Sequence, residues 1–276
     1  GVDDQEGIFR NSHLKRYTGR LNLTQKAIND KLKVEFSLTG SKYENTRPNS
    51  NGIVNSMLSA NPTDKIYTNG ELSGNLSNDI LNPLISENLY GDFTDSYRLL
   101  ANVGTSYKIM KGLSYKLNLG IDFSSTNRDV QTKPYATETN ETLGSLSNYT
   151  TLNSNSLIEN TLTYNFNKDL HNFTFLAGHS FQQTEVSQKR FNLEGFPDNG
   201  VEPRYQIETA AGPEQSQDAF ATKNELQSFF GRVNYGFASK YLVTATLRAD
   251  GSSKFGANNK YGYFPSFAVG WNMSDE

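Results

Sequence analysis

The stretch YLVTATLRADGSSKFGANNKYGYFPSFAVGW, which occupies residues 241–271, decides the predicted fold class of this chain. In its first part, apolar residues stand at every second position, namely Tyr241, Val243, Ala245 and Leu247. Residues 263–271 alternate in the same way, and this period of two is typical of a strand with one apolar face. The Gly, Ser, Asp and Asn residues at 250–253 and 256–259 favour a turn. The stretch therefore predicts a β-hairpin.

The same hairpin carries a resemblance to a known family. Its sequence is similar to the signature R-x-DGSS-x-FG, G-x-FPS and GW of SusC/RagA-type TonB-dependent outer-membrane transporters. The matching residues are Arg248, Asp250, Gly251, Ser252, Ser253, Phe255, Gly256, Gly262, Phe264, Pro265, Ser266, Gly270 and Trp271. Residues 111–125 and 228–242, and the NPT at 61–63, also resemble that family. We interpret the signature residues as structural, with the glycines and serines turning the chain.

Composition favours a barrel over a soluble domain. Hydrophobic residues make up 35% of the 276 positions and the mean hydropathy is -0.63, below the ~45–50% apolar content of an ordinary globular domain. Aromatic residues reach 12%, which is too many for a disordered chain. A β-barrel with lipid outside and water inside reconciles the two values, because only alternate strand residues need be apolar.

Charge, cysteine count and apolar run length exclude several other classes. A net charge of -3 provides no basic surface for nucleic-acid phosphates. The absence of cysteine excludes disulfides and thiolate metal sites. The sequence contains neither a charged and then apolar leader at 1–15 nor a run of ~18 apolar residues. We therefore expect no signal peptide or membrane helix in this chain, and any membrane span must be a strand.

Alternation along the whole chain predicts nine antiparallel strands. They cover 16–25, 32–39, 97–109, 113–123, 158–166, 173–181, 229–237 and the two strands of the hairpin. Short turns at 28–31, 111–112, 168–169 and 238–240 alternate with long polar loops at 43–94, 128–153 and 186–224. Helical turns are predicted near 53–58 and 80–89 in the first long loop.

Two features of this pattern are typical of outer-membrane barrels rather than of a soluble β-sandwich. Such barrels have short periplasmic turns and long outer loops. Aromatic residues also recur eight positions apart on the apolar side of the strands, as in Tyr115 and Phe123 or Tyr263 and Trp271. Eight residues of a tilted strand climb about 20 Å, close to the ~25 Å apolar band between aromatic girdles. This parity predicts that Val269 faces lipid and Gly270 faces the lumen.

The sequence offers little for catalysis. His171 and His179 are about 26 Å apart along one strand and cannot bind one metal, and His13 is remote in sequence. The motif GHSFQ lacks the last glycine of a nucleophile elbow, and residues 251–257 lack the Lys-Ser or Lys-Thr of a phosphate-binding loop. We expect no enzyme activity, cofactor or metal. Charged residues on the polar strand faces would line a lumen, and they are Arg16, Arg20, Lys33, Glu35, Arg98, Lys116, Asp122, Glu159 and Arg232.

The resemblance implies a specific role for the chain. It implies an internal segment, residues 1–276, of a barrel of about 22 strands, with the plug domain, signal peptide and barrel C-terminus outside it. The implied function is TonB-powered uptake of a bulky oligosaccharide or peptide across the outer membrane, with a SusD-like surface lipoprotein as lid. Loops 43–94 and 186–224 would then contact the lid or the solute. A soluble carbohydrate-binding β-protein and an outer-membrane barrel of another class remain as alternatives.

Overall fold

The computed structural model describes residues 1–77, 80–136, 141–212, 215–256 and 258–273. In this part of the chain, ten strands form one antiparallel sheet in chain order. They are β1 (Val2–Glu6), β2 (His13–Ala27), β3 (Leu32–Arg47), β4 (Tyr90–Met110), β5 (Leu113–Thr132), β6 (Ser145–Lys168), β7 (His171–Glu194), β8 (Ser216–Phe237), β9 (Tyr241–Ser252) and β10 (Tyr261–Trp271). Ala257 of the predicted turn and residues 78–79, 137–140 and 213–214 of three predicted loops lie outside the described residues. The predicted antiparallel, up-and-down sheet is confirmed in this open form.

Strand β1 of this sheet was not predicted from the sequence. Its residues, VDDQE, show no alternation of apolar and polar side chains. Strand β1 nevertheless pairs with β2 over five positions, from Val2 opposite Tyr17 to Glu6 opposite His13. Main-chain hydrogen bonding to a neighbour therefore defines this strand, because its own side chains give no signal.

The predicted long loops are wrong at both ends, because the strands extend well past their apolar part. Strand residues replace loop at 43–47, 90–94, 128–132, 145–153, 186–194 and 216–224. On this side of the sheet both faces carry polar residues, so the period-two contrast disappears while the ladder continues. We call the strand residues at 13–16, 41–47, 90–96, 124–132, 145–153, 183–194 and 216–226 the outer extension.

The short turns all lie at the opposite end of the sheet. Ile28, Asn29 and Asp30 turn the chain between β2 and β3 with positive φ angles of 53° to 59°. Gly112, with φ of 82°, turns β4 into β5, and a Cβ added there would collide with the backbone oxygen of Asn165. The sorting of short and long connections to opposite ends of the sheet is as predicted.

The apolar residues form a band on one face whose aromatic edge runs obliquely across the sheet. When the cross-strand pairs are followed from β4 to β8, Tyr97 is level with Ala221. Tyr263 on β10 is level with Phe229, which lies eight residues farther along β8. Eight residues of ~3.3 Å over six strand spacings of ~4.8 Å correspond to a strand tilt of about 40°. This is the tilt that transmembrane barrels require, so the aromatic edge is level when the strands are tilted.

No second layer covers this apolar face among the described residues. Leu23 is 55% exposed, Leu119 39% and Phe267 72%. The five buried hydrophobic residues are few and lie beside the long connections, and they are Ile53, Leu76, Ile85, Leu146 and Phe196. A soluble β-sandwich would bury such a face against a facing sheet. The described helices are also too short and too polar to cross a membrane.

Two helices lie in the connection between β3 and β4, as predicted. Helix α1 (Ser50–Ser59) begins after Asn49, whose side chain accepts a hydrogen bond from the Gly52 amide at 3.1 Å. Helix α2 (Pro83–Leu89) begins after Asn82, which caps the Leu84 amide and donates to two carbonyls, each at 3.0 Å. Asn82 is fully buried, so its side-chain amide holds separate parts of this connection together.

Candidate functional site

The signature residues begin with an ion pair on the polar face of the sheet. Arg248 and Asp250 lie two residues apart on β9, with Nε and Oδ1 2.6 Å apart. Arg248 also donates to the hydroxyl of Ser228 on β8 at 3.0 Å and lies over the Phe230 ring. These contacts join β8 to β9.

Two of the signature glycines, Gly251 and Gly262, make room for aromatic rings. A Cβ on Gly251 would lie 2.6 Å from the Tyr261 ring, and one on Gly262 would lie 3.0 Å from the Phe264 ring. With this space, the Tyr261 hydroxyl crosses the sheet and donates to Gln227 on β8 at 2.8 Å. The turn interpretation of Asp250, Gly251 and Ser252 was wrong, because all three lie in β9 and no signature glycine has positive φ.

The rest of the signature divides between the loop and β10. Ser253 extends the ladder, because its amide donates to the Glu225 carbonyl at 2.9 Å and its hydroxyl accepts from the Glu225 amide at 2.8 Å. Ser252 accepts from the Lys254 amide, while Phe255 and Gly256 are exposed. On β10 the polar-face residues are Gly262, Phe264, Ser266 and Gly270, and the apolar-face residues are Pro265, Val269 and Trp271.

The polar face carries a shallow groove of about 730 Å³ between β1 and β7. Its central feature is Arg98, which donates to both carboxylate oxygens of Asp122 at 2.8 and 2.6 Å. Arg16 lines the same groove and makes no ion pair with a described residue. A row of amides continues toward the short turns, where Asn102 donates to Asn118 and Asn118 donates to Glu159. The polar face of the sheet therefore presents hydrogen-bonding groups that suit a polar solute.

An ion cluster lies beyond this groove in the outer extension. Arg128 donates to both oxygens of Asp92 at 2.8 and 2.7 Å, and Arg47 approaches the same carboxylate at 3.5 Å. Asp92 is only 3% exposed, so one buried carboxylate supports two half-exposed guanidinium groups. This cluster was not predicted from the sequence, because Asp92 and Arg128 lie in predicted loops. Arg128 could have been placed on the polar face by continuing the alternation from Asp122 through positions 124 and 126 to 128.

The connection between β7 and β8 packs on the outer extension, on the side of the sheet that continues the apolar face. We call this side the outward face. Arg204 lies 3.5 Å from the Phe93 ring centroid, and Glu202 pairs with Lys133 and Arg204, each at 2.9 Å. Burial alone would raise the pKa of Glu202, but the hydrogen bond from Lys133 and the charges of Lys133 and Arg204 hold this pKa below its ordinary value. This connection is therefore a packed element.

The three histidines are separated and each contacts a different partner. His13 lies 2.6 Å from Asp4, His171 lies 2.9 Å from the Tyr235 hydroxyl, and His179 packs on Phe229. Within the described ranges, no three His, Cys, Asp or Glu side chains come together as metal ligands.

Comparison with known proteins identifies the family. A TonB-dependent receptor of Formosa agariphila is 34% identical over 287 residues, which cover 99% of this chain and 28% of the relative. The TonB-dependent receptor SusC of Bacteroides thetaiotaomicron is 26% identical over 301 residues, covering 100% of this chain and 29% of SusC. The chain belongs to the SusC/RagA-type TonB-dependent receptors. It spans less than a third of the length of these receptors.

A solved structure supports the fold of this SusC/RagA-type segment. The structure of the RagAB peptide transporter superimposes with a TM-score of 0.79 at 23% identity, over 100% of this chain and 32% of that one. At this identity the likeness shows the fold alone. No family model matches the chain.

Proposed function

We propose that this chain forms part of the wall and outer mouth of a transporter that imports a bulky nutrient, an oligosaccharide or a peptide, across the outer membrane. The observation that carries the proposal is the uncovered apolar face, whose aromatic edge becomes level when the strands are tilted by about 40°. The opposite, polar face then lines the path of the solute, with Arg98, Asp122 and the amide row exposed to it. The names of the relatives, matched across nearly the whole chain, support the same function.

The complete protein in this proposal is a barrel of about 22 strands around a plug domain, with further strands and the plug supplied by sequence outside residues 1–276. An open ten-stranded sheet would leave two unpaired edges, β1 and β10, and such edges are costly in hydrocarbon. A SusD-like surface lipoprotein covers the outer mouth and the TonB complex supplies energy. The chain itself contributes no catalysis and requires no cofactor, because a polar wall with hydrogen-bonding side chains is sufficient to guide a solute.

Membrane fractionation and uptake by the complete receptor test this proposal. We expect the receptor in the outer membrane, extractable only with detergent, and we expect uptake of its solute to stop when TonB is deleted. Recovery of the complete protein in the aqueous fraction would support the soluble carbohydrate-binding alternative. An outer-membrane location with solute entry that is independent of TonB would instead indicate a barrel of another class.

A further inference from the structure

Three side chains in the outer extension form a basic and aromatic cluster on the polar face. Tyr149 on β6 pairs in register with Arg128 on β5 and with Arg190 on β7. The two guanidinium carbons lie 5.7 and 4.9 Å from the centroid of the Tyr149 ring. Cation–π attraction of this kind holds like charges close to one another without a carboxylate between them. We call these three residues the mouth cluster.

The charge of the mouth cluster is only partly compensated. Arg128 is paired with Asp92, but Asp92 also faces Arg47, so two guanidinium groups share one carboxylate. The Nε of Arg190 donates to the side-chain oxygen of Asn192 at 3.2 Å. No carboxylate of the described residues lies within 4 Å of the Arg190 guanidinium.

The acidic residue that could neutralise Arg190 does not contact it. Asp218 on β8 lies opposite Arg190 in register, and no ion pair joins the two side chains. Arg190 is exposed, whereas Asp92 beneath the neighbouring arginine is buried. The outer mouth therefore presents a guanidinium fork with free donors and net positive charge.

The mouth cluster stands where a solute would enter. Arg128 is five residues beyond Phe123, the last aromatic residue of the apolar band on β5, which places it about 10–15 Å above the lipid boundary. The groove on the polar face begins two residues below it, at Thr126. A solute that moves inward would pass the cluster first and then contact the groove.

We propose that Arg128, Tyr149 and Arg190 bind a carboxylate group of the imported solute, a proposal that rests on the transport function proposed above. A guanidinium group binds a carboxylate through two parallel hydrogen bonds, which a neutral hydroxyl or amide cannot replace at equal strength. Arg190 supplies the free fork, Arg128 adds charge, and Tyr149 fixes the spacing of the two. The carboxylates of an acidic sugar chain and of an acidic peptide share this chemistry.

Binding by the complete receptor in outer-membrane vesicles tests the site with two matched pairs of probes. One pair is an oligogalacturonate and its fully methyl-esterified form, and the other is a glutamate-rich peptide and its glutamine counterpart. In Arg190→Gln we expect binding of an acidic probe to weaken about tenfold, the loss of one charge-assisted contact of ~1.4 kcal/mol, while its neutral counterpart is unaffected. Arg190→Lys keeps the charge but cannot form the two parallel hydrogen bonds, so it should retain only part of the affinity for an acidic probe, between the unaltered receptor and Arg190→Gln. This order separates the guanidinium contact from a loss of folding.

Lys189→Gln is the matched control, because Lys189 is adjacent in sequence but lies on the opposite, outward face. It removes the same charge and should leave all four affinities unchanged. Selective loss with the sugar probe or with the peptide probe supports the site and identifies the source of the carboxylate. The site would be overturned by any of three results. Affinity could fall equally in Arg190→Gln and Lys189→Gln, or equally for acidic and neutral probes. The third result is that the unaltered receptor shows no preference for an acidic probe.

Uptake and membrane location, measured in the same variants, separate this site from the proposed function. TonB-dependent uptake of a neutral probe, unchanged in Arg190→Gln and with no preference for acid, would refute the carboxylate site and leave the transport function standing. Absence of the complete receptor from the outer membrane would refute both.

Discussion

The apolar band and the outer extension belong to the same strands, yet they are stabilised in opposite ways. In the band, outward residues such as Leu119 and Phe267 are exposed, and no second layer of the described residues covers them. In the outer extension, polar side chains contact one another through ion pairs and amide hydrogen bonds, as around Asp92. The backbone ladder is continuous through both regions. In the proposed barrel the difference follows from the surroundings, because lipid contacts the outward side chains of the band and water contacts the outer extension.

A charge placed in the band should have the largest effect of any change considered. Leu119→Arg puts a guanidinium near the middle of the apolar band, where such a charge costs about 2–4 kcal/mol. The expected result is a lower urea midpoint for the complete receptor, measured by its heat-modifiable mobility on gels. Ala221→Arg is the control, because Ala221 is on the same face but in the outer extension. Equal destabilisation by the two variants would show that lipid does not cover the band.

Adding a side chain at a glycine should distinguish a position that is packed by protein from a position on the face that is open to lipid. Gly251→Val, at the outer end of β9, would force the Tyr261 ring off Gln227 and should destabilise the receptor by about 1–3 kcal/mol. Gly40→Val is the same substitution on the apolar face, where an added Cβ meets nothing within 4 Å. It should leave the urea midpoint unchanged or raise it. A lower midpoint for Gly40→Val would mean that protein rather than lipid covers this position.

Removing one buried charge should test the networks of the outer extension. Asp92→Asn leaves Arg47 and Arg128 without their shared carboxylate, and we expect a loss of about 1–2 kcal/mol in the same urea measurement. Glu44→Gln, which removes the carboxylate from an exposed pair with Lys42, should produce no measurable change. The two variants having equal effect would refute the structural role assigned to Asp92.

Acidification should produce the smallest effect, a loosening of the connection between β7 and β8. Because the pKa of Glu202 is held below its ordinary value of 4.5, the carboxylate stabilises this connection above that pH. The stabilisation should disappear as pH falls from 4.5 through the folded-state pKa. Hydrogen-exchange protection at residues 203–209 should therefore fall on acidification, and Glu202→Gln should already show the lower protection at pH 7. Protection in Glu202→Gln that equals the unaltered receptor at pH 7 would contradict this assignment.

The same comparison explains which strands could be predicted from sequence. In the band, one face is apolar and the other is polar, so residues 113–123 and 173–181 alternate and could be predicted as strands. Beyond the band both faces of the sheet carry polar residues. Residues 145–153, SLSNYTTLN, were therefore predicted as a loop, although each of them pairs with a neighbouring strand on both sides. Strand β1 was invisible for the same reason.

The candidate site was predicted in part. Arg98 and Asp122 were placed correctly on the polar face because alternation reaches them, but their bidentate pairing needs the register between β4 and β5. The mouth cluster needs the register of three strands, and all three of its residues, Arg128, Tyr149 and Arg190, lie in predicted loops. The role of Gly251 was misread because a glycine that admits a ring from the next strand looks, in one sequence, like a glycine that turns the chain.

Quenching by brominated lipid most directly tests the claim that this chain is a barrel wall with lipid on its apolar face. A bimane label would be attached to single cysteines at Leu119, Asn118 and Ala221 in the complete receptor, reconstituted in brominated lipid. We predict strong quenching at 119, on the band, and little at 118, on the polar face, or at 221, on the same outward side but in the outer extension. Quenching at 118 rather than 119, or no quenching at either position, would contradict the central claim.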